Sequence, residues 1–256
     1  MQVSVKSNIG LRRSSNQDYA DYFINSNNQV LFVLCDGVGG NQAGDIASKL
    51  TTKFIGEEFN ILDTKLDLKS AKLWFSNVIE EVNLYIYDTS KSDPKLEGMS
   101  TTLVLAICVD DQILIGHVGD SRAYIYRQGD LIQMTEDHSL VNELIKSGEI
   151  TEEEGEHHPI RNVVTQSIGG TKTVSYEIDH KMLQSEEVLM MCSDGLTNMV
   201  SFNQLKDYFA DKTLNLEQLG STLISAANEA GGIDNITVIL VSDWANTSVE
   251  EVSNHD

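Results

Sequence analysis

TTLVLAICVDDQILIGHVGDSRAYIYRQGDLIQM, residues 101–134, holds four apolar runs rich in β-branched and aromatic residues, at 101–109, 113–118, 122–126 and 131–134. Runs of this length and composition read as strands. The first two are joined by Asp110-Asp111-Gln112 and the last two by Gln128-Gly129-Asp130. Such short polar joins turn the chain back on itself, so sequential neighbours pair antiparallel instead of through the long crossovers of a parallel sheet.

Further strand-like runs lie at 19–24 and 30–35 before this block, and at 174–178, 188–193 and 236–241 after it. Two helices, 43–59 and 68–87, fall between the second and third runs, and in the latter Phe75, Ile79, Val82 and Ile86 recur at helical spacing along one face. A second pair, 202–209 and 216–230, precedes the last strand. This order departs from the strict βαβ alternation of a doubly wound sheet. It predicts an α+β fold: an αββα sandwich of two mainly antiparallel sheets flanked by helix pairs. One domain is expected over 1–242. An exposed flap at 138–167 interrupts it, carrying a short helix at 140–145, an acidic stretch at 149–156 and His157-His158-Pro159. Residues 243–256 are polar and aperiodic and read as a frayed tail.

With 39 acidic against 18 basic residues the net charge is −21, a field that repels nucleic acid and anionic membrane, so neither is an expected partner. The same field repels phosphate, and any phosphoester chemistry here needs cations to offset it. Cys35, Cys108 and Cys192 each lie in or beside an apolar run. An odd count without CxxC spacing argues against a disulfide framework or structural zinc and fits a reducing, cytoplasmic setting. Residues 1–15 hold no apolar signal-like segment, and the longest apolar run, 103–109, is too short to span a membrane.

Four aspartates stand where an apolar run meets a Gly-, Ser- or Asn-rich turn. Asp36, Asp120 and Asp194 each close a strand, and Asp234 opens one. Singly, each is an ordinary turn residue. If the last strand runs antiparallel to its partners, all four gather at one end of the sheets. Carboxylates about 5 Å apart repel by roughly 3 kcal/mol at an effective dielectric of 20, so such a cluster calls for divalent cations. Oxygen ligands without accompanying His or Cys select magnesium or manganese over zinc.

Arg13-Ser14-Ser15-Asn16-Gln17-Asp18, Asp36-Gly37-Val38-Gly39-Gly40, Gly98-Met99-Ser100-Thr101-Thr102, Gly119-Asp120-Ser121-Arg122-Ala123, Ser193-Asp194-Gly195-Leu196 and Asp234-Asn235-Ile236-Thr237 occur in the order and spacing of the metal-dependent protein phosphatase 2C family. The sequence resembles its compact bacterial serine/threonine phosphatases over about residues 3–242. The resemblance implies that Asp36 bridges two Mn2+ or Mg2+ ions, that the Gly37 carbonyl ligates the first, and that Asp194 and Asp234 ligate the second. Asp120 with Asp194 resembles a third metal site. Asp18 resembles a carboxylate supporting the ligands, and Arg13 a phosphate clamp. A metal-bridged water would then hydrolyse phosphoserine or phosphothreonine in proteins without a phosphoenzyme intermediate, with Arg13, Asp36, Asp120 and Asp194 carrying the chemistry. A monomer opposing a bacterial serine/threonine kinase is the implied setting.

Val38 stands where animal members carry a histidine thought to protonate the leaving group, and Gln17 stands where they carry a metal-associated glutamate. Bacterial members share both changes, and a water held at Asp120 and Asp194 is the expected proton source. Several features read as structural: His157-His158 as solvated loop residues, Gly39-Gly40 as backbone clearance, 152–154 as a solvated face, and Met190-Met191 as core. Two rivals are a silent phosphoprotein-binding module, which would not need to keep every aspartate, and a two-metal phosphodiesterase, which the net charge and missing base-stacking groups disfavour.

Overall fold

The computed structural model describes residues 1–38, 43–156, 158–184, 186–244 and 250–251. Strands β1 (Gln2–Asn8), β2 (Asp18–Ile24) and β3 (Val30–Val38) lead into helices α1 (Gly44–Asn60) and α2 (Leu68–Ser92). A two-residue strand β4 (Ser100–Thr101) precedes β5 (Leu103–Val109), β6 (Gln112–Val118), β7 (Arg122–Arg127) and β8 (Asp130–Gln133). The flap holds α3 (Leu140–Lys146) and α4 (Glu152–Glu156). Then follow β9 (Glu177–Met182), β10 (Val188–Cys192), α5 (Asp194–Thr197), α6 (Phe202–Ala210), α7 (Leu216–Glu229), β11 (Ile236–Ser242) and β12 (Glu250–Glu251).

Two sheets result, β12-β1-β11-β10-β7-β8 and β2-β3-β5-β6-β9, the second with β4 added to β3. Among the described residues every strand pairing is antiparallel except β1 with β12. The two sequence-predicted hairpins are present. Asp110 and Asp111 turn β5 into β6, and Gln128 and Gly129 turn β7 into β8, all four at positive φ as a tight primed turn demands.

The continuous apolar runs follow from burial on both faces. In β3, Val30, Phe32 and Leu34 enter the core between the sheets, where they join Val104, Ile115, Ile125, Met191 and Ile239. Leu31, Val33 and Cys35 face the other way, into a second core built with Phe75, Ile79, Val82 and Ile86 of α2. The opposite sheet repeats the arrangement, with Met190, Cys192, Val238 and Leu240 packed against Leu205 and Phe209 of α6 and Leu219 and Leu223 of α7. Helix starts are locally encoded. Asp67 accepts from Ser70 N–H at 2.7 Å to open α2, and Ser201/Gln204 and Asn215/Gln218 form capping boxes on α6 and α7.

Three expectations are corrected. β1 had no place in the sequence reading, because Ser4 and Lys6 alternate with Val3 and Val5 and leave no apolar run. Yet it pairs with β11 along its whole length, from Gln2↔Ser242 to Asn8↔Ile236. The strand read at 174–178 lies instead at Glu177–Met182, an edge strand whose alternating charges suit a sheet border, while Val174, Tyr176 and Ile178 pack against the α2 core. Trp244, read as tail, is buried in the inter-sheet core and donates from Nε1 to Glu187 O at 2.9 Å. Among the described residues no helix is long and apolar enough to cross a membrane.

Candidate metal centre

Antiparallel pairing does what the sequence required of it. Asp18 opens β2 directly across from Asp36 near the end of β3. Asp194 follows β10, and Asp234 precedes β11, which runs antiparallel beside β10 with Cys192 opposite Val238. Asp120 sits in the turn that carries the chain from β6 in one sheet to β7 in the other. The carboxylates therefore meet at one end of the sandwich, where the two sheets face each other.

At this spacing the carboxylates perturb one another. Burial, then the charges of Asp18, Asp194, Asp120 and Asp234, push Asp36 well above the usual carboxylate range. Burial and the Asp194 and Asp137 charges push Asp120 up to about 8. Asp194 is raised by burial and by Asp234, against hydrogen bonding with Asp36 and Asn198. Asp18 is pushed up to about 7, mainly by burial, although Thr237 and Ser193 hydroxyls partly stabilise its charge. Its Oδ2 accepts from Ser193 Oγ at 2.7 Å, while its Oδ1 is buried with no hydrogen-bond partner among the described residues.

Arg13 reaches this cluster from the β1–β2 loop. Its Nη2 donates to Asp234 Oδ2 at 2.6 Å, and its side chain is half exposed at the rim. Asn235, given no individual role by the sequence reading, holds that loop in place. Its Nδ2 donates to Ile9 O at 2.9 Å and Ser15 O at 3.0 Å, and its Oδ1 accepts from Gln17 N–H at 2.9 Å. Asp36 is fixed similarly: its N–H donates to Thr102 Oγ1 at 2.9 Å, and its carbonyl accepts from Thr102 N–H and Thr101 Oγ1, each at 2.8 Å. Asn198 Nδ2 donates to Asp194 Oδ2 at 2.9 Å. Ser, Thr and Asn are common turn and cap residues, so no local pattern distinguishes these supports.

Gly37 is set by close approach. A Cβ there would lie 2.3 Å from Gly44 O and 2.7 Å from Gln17 O, so only glycine lets the start of α1 and the Gln17 backbone close against β3. Gln17 itself contributes backbone, its carbonyl accepting from Gly37 N–H at 3.1 Å and Ser48 Oγ at 2.6 Å. Gly39, Gly40 and His157 lie outside the described residues. His158 is half-buried in the flap, its Nδ1 accepting from Ile160 N–H at 3.5 Å. Met190 and Met191 are both buried core residues.

The structure thus brings Asp18, Asp36, Asp120, Asp194 and Asp234 into one electrostatic neighbourhood, with Arg13 paired to its edge. A cluster of hard oxygen donors, with Asp18 and Asp120 buried and Asp36, Asp194 and Asp234 half-buried, repelling one another and including an unpartnered carboxylate oxygen, has the chemistry of a divalent-cation site. The model for the family described as protein phosphatase 2C matches residues 11–225. The chain belongs to the protein phosphatase 2C family. Among 2C relatives, protein phosphatase PhpP of Streptococcus pneumoniae is 39% identical over 249 residues, covering 94% of this chain and 97% of that protein. Serine/threonine phosphatase stp of Listeria welshimeri is 37% identical over 241 residues, with 94% and 95% covered. Of solved structures, the Streptococcus agalactiae serine/threonine phosphatase superposes with a TM-score of 0.89 at 41% identity, covering 94% of this chain and 98% of the other. Staphylococcus aureus Stp1 gives 0.90 at 35% identity, with 94% of each chain covered.

Proposed function

We propose that this chain is a Mn2+- or Mg2+-dependent phosphatase acting on phosphoserine and phosphothreonine in proteins, through a single catalytic domain that spans 1–242 and takes in Trp244. The convergence of the strand-end aspartates beside Arg13 carries the reading, and the names of the bacterial relatives support its substrate class. Asp36, the Gly37 carbonyl, Asp194 and Asp234 are the residues to hold two ions, and Asp120 with Asp194 a third. When bound, such ions supply Lewis acidity and an activated water for in-line attack on phosphorus.

This chain's own residues do the rest. Arg13 offers a planar fork at the rim for phosphate oxygens, which Asp234 orients. Asp18, behind the ligands, stands ready to accept hydrogen bonds or neutralise charge. No thiol competes as nucleophile: burial pushes Cys35 and Cys192 up to about 12 and Cys108 up to about 11, the reverse of an activated thiolate. Val38 has no proton to give, so protonation of the leaving serine or threonine falls to the Asp120 side of the centre. The setting that supports these roles is a cytoplasmic monomer opposing a serine/threonine kinase.

The decisive experiment is hydrolysis of phosphothreonine peptides and of cyclic nucleotides with manganese, with magnesium and after chelation. Phosphopeptide turnover that depends on added metal is the expected result. Full turnover by demonstrably metal-free protein, or preference for the cyclic nucleotides, would refute the proposal. Arg13→Ala is expected to raise KM for a phosphopeptide by about 10- to 100-fold, the worth of a charge-assisted hydrogen bond, and to lower kcat much less. Arg13→Lys retains charge but loses the fork, so it falls between the two. An unchanged KM in both variants would mark Arg13 as a surface residue whose partner is Asp234 alone.

A further inference from the structure

His138 joins the flap to the turn that carries Asp120. Its backbone N–H donates to Gly119 O at 2.9 Å, and its ring Nδ1 accepts from Gly119 N–H at 3.2 Å. One residue thereby holds both polar groups of Gly119. The His138 carbonyl in turn accepts from Thr165 N–H at 2.8 Å, Ser139 bridges Val164, and Leu140 N–H donates to Val163 O at 2.9 Å, so both ends of the flap close at this point.

Gly119 needs such a hold. Its φ is +103°, and a Cβ there would lie 2.7 Å from Thr102 Cγ2, so the turn must be glycine and has no side chain to anchor it. Its orientation, and that of the Asp120 peptide after it, is left to hydrogen bonds from outside the turn.

The imidazole is prepared for this task. His117 stacks on it with ring centroids 4.7 Å apart, and His117 Nε2 donates to Glu136 O at 2.7 Å. Accepting at Nδ1 places the His138 proton on Nε2, which faces Glu177 Oε1 at 4.0 Å. Burial first, then the His117 and Lys146 charges, pull His138 down to about 4 against Asp137 and Glu136, so it stays a neutral acceptor. His117, His138 and Glu177 offer ligand atoms within 4.8 Å of one another, and one nitrogen of each ring already holds backbone, His138 Nδ1 accepting from Gly119 N–H and His117 Nε2 donating to Glu136 O.

We propose that His138 is a positioning residue: the first residue of the flap fixes the Gly119–Asp120 turn, and through it the Asp120 carboxylate. The metal-facing half of this inference rests on the reading of Asp120 as a metal ligand. Three variants test it, His138→Ala, His138→Asn and Asp120→Asn, with asparagine at 138 returning an acceptor near the Nδ1 position. In metal-free protein, amide exchange at Gly119 should accelerate at least about tenfold in His138→Ala, and His138→Asn should restore most of the protection. In calorimetric titration with Mn2+, the weakest class of sites should weaken at least about tenfold in His138→Ala and in Asp120→Asn, while the tighter sites hold. Unchanged Gly119 exchange in a folded His138→Ala protein overturns the latch, as does Mn2+ binding that Asp120→Asn weakens and His138→Ala does not. If Asp120→Asn leaves Mn2+ binding intact, the ligand reading of Asp120 falls, and Gly119 exchange alone then supports or overturns the latch.

Discussion

Replacing Asp36 or Asp194 with alanine is expected to lower kcat/KM on a phosphothreonine peptide by at least about 10³-fold, equivalent to about 4 kcal/mol of transition-state stabilisation. Each of these aspartates is assigned to more than one ion, so its loss disturbs charge neutralisation and nucleophile activation together. Loss of activity in a metal enzyme is often confounded with loss of the fold. Here the two separate, because each carboxylate is half-buried among like charges that raise its proton affinity. An uncharged residue of the same shape relieves that repulsion. Asp36→Asn and Asp194→Asn should therefore be inactive yet at least as stable as the parent protein when both are metal-free. Thermal melts of the chelated proteins beside phosphopeptide kinetics check both halves. Retained turnover in either alanine variant would remove that residue from the centre.

The same cluster shows what the sequence could and could not disclose. Strands buried on both faces are legible because every position must be apolar, as in Val30 to Cys35, and aspartates at their ends stand out against that background. β1 was not legible, since Ser4 is buried under α7, where its hydroxyl donates to Glu217 Oε2 at 2.9 Å, and polar residues satisfied in this way break the apolar run. β9 was read three residues early, because its charges leave no apolar run beyond Ile178. Trp244 was hidden by the polar residues after it, although an indole with a buried carbonyl partner is a core group wherever it falls. Within the site, ligand candidates could be found from strand ends and motif order. The Arg13–Asp234 pair and the Asn235 staple could not, because each joins segments more than 200 residues apart, and only the fold brings them within reach.

Stability of the metal-free protein should fall as pH rises from about 6.5 to 8.5, and bound metal should flatten that slope. Asp18 and Asp120 keep their protons up to about 7 and about 8 in the folded protein, whereas unfolded aspartates titrate near 4. Between those values the folded state binds more protons. The stabilisation from their protonated forms is complete below the unfolded value and is lost as pH climbs through 7 and 8. His138 works in the opposite direction, since its folded value of about 4 lies below that of the unfolded chain, but its contribution levels off by about pH 7.5, a unit past the unfolded value. Through most of the window the carboxylates dominate, and near its top the buried thiols of Cys35, Cys108 and Cys192 add a fall of their own, because unfolded cysteines ionise at about 8.5. With about 2–4 °C of Tm per kcal/mol for a domain of this size, a fall of at least about 5 °C is expected in chelated protein. Saturating Mn2+ replaces the protons as counter-charge, so it should raise Tm most at the alkaline end, and its affinity should tighten as pH rises. Asp120→Asn removes a carboxyl held up to about 8 and should flatten the upper half of the metal-free curve. A metal-free Tm that is constant or rises across the window would show that these carboxylates are ionised without cations, and the electrostatic case for the metal centre would fall with it.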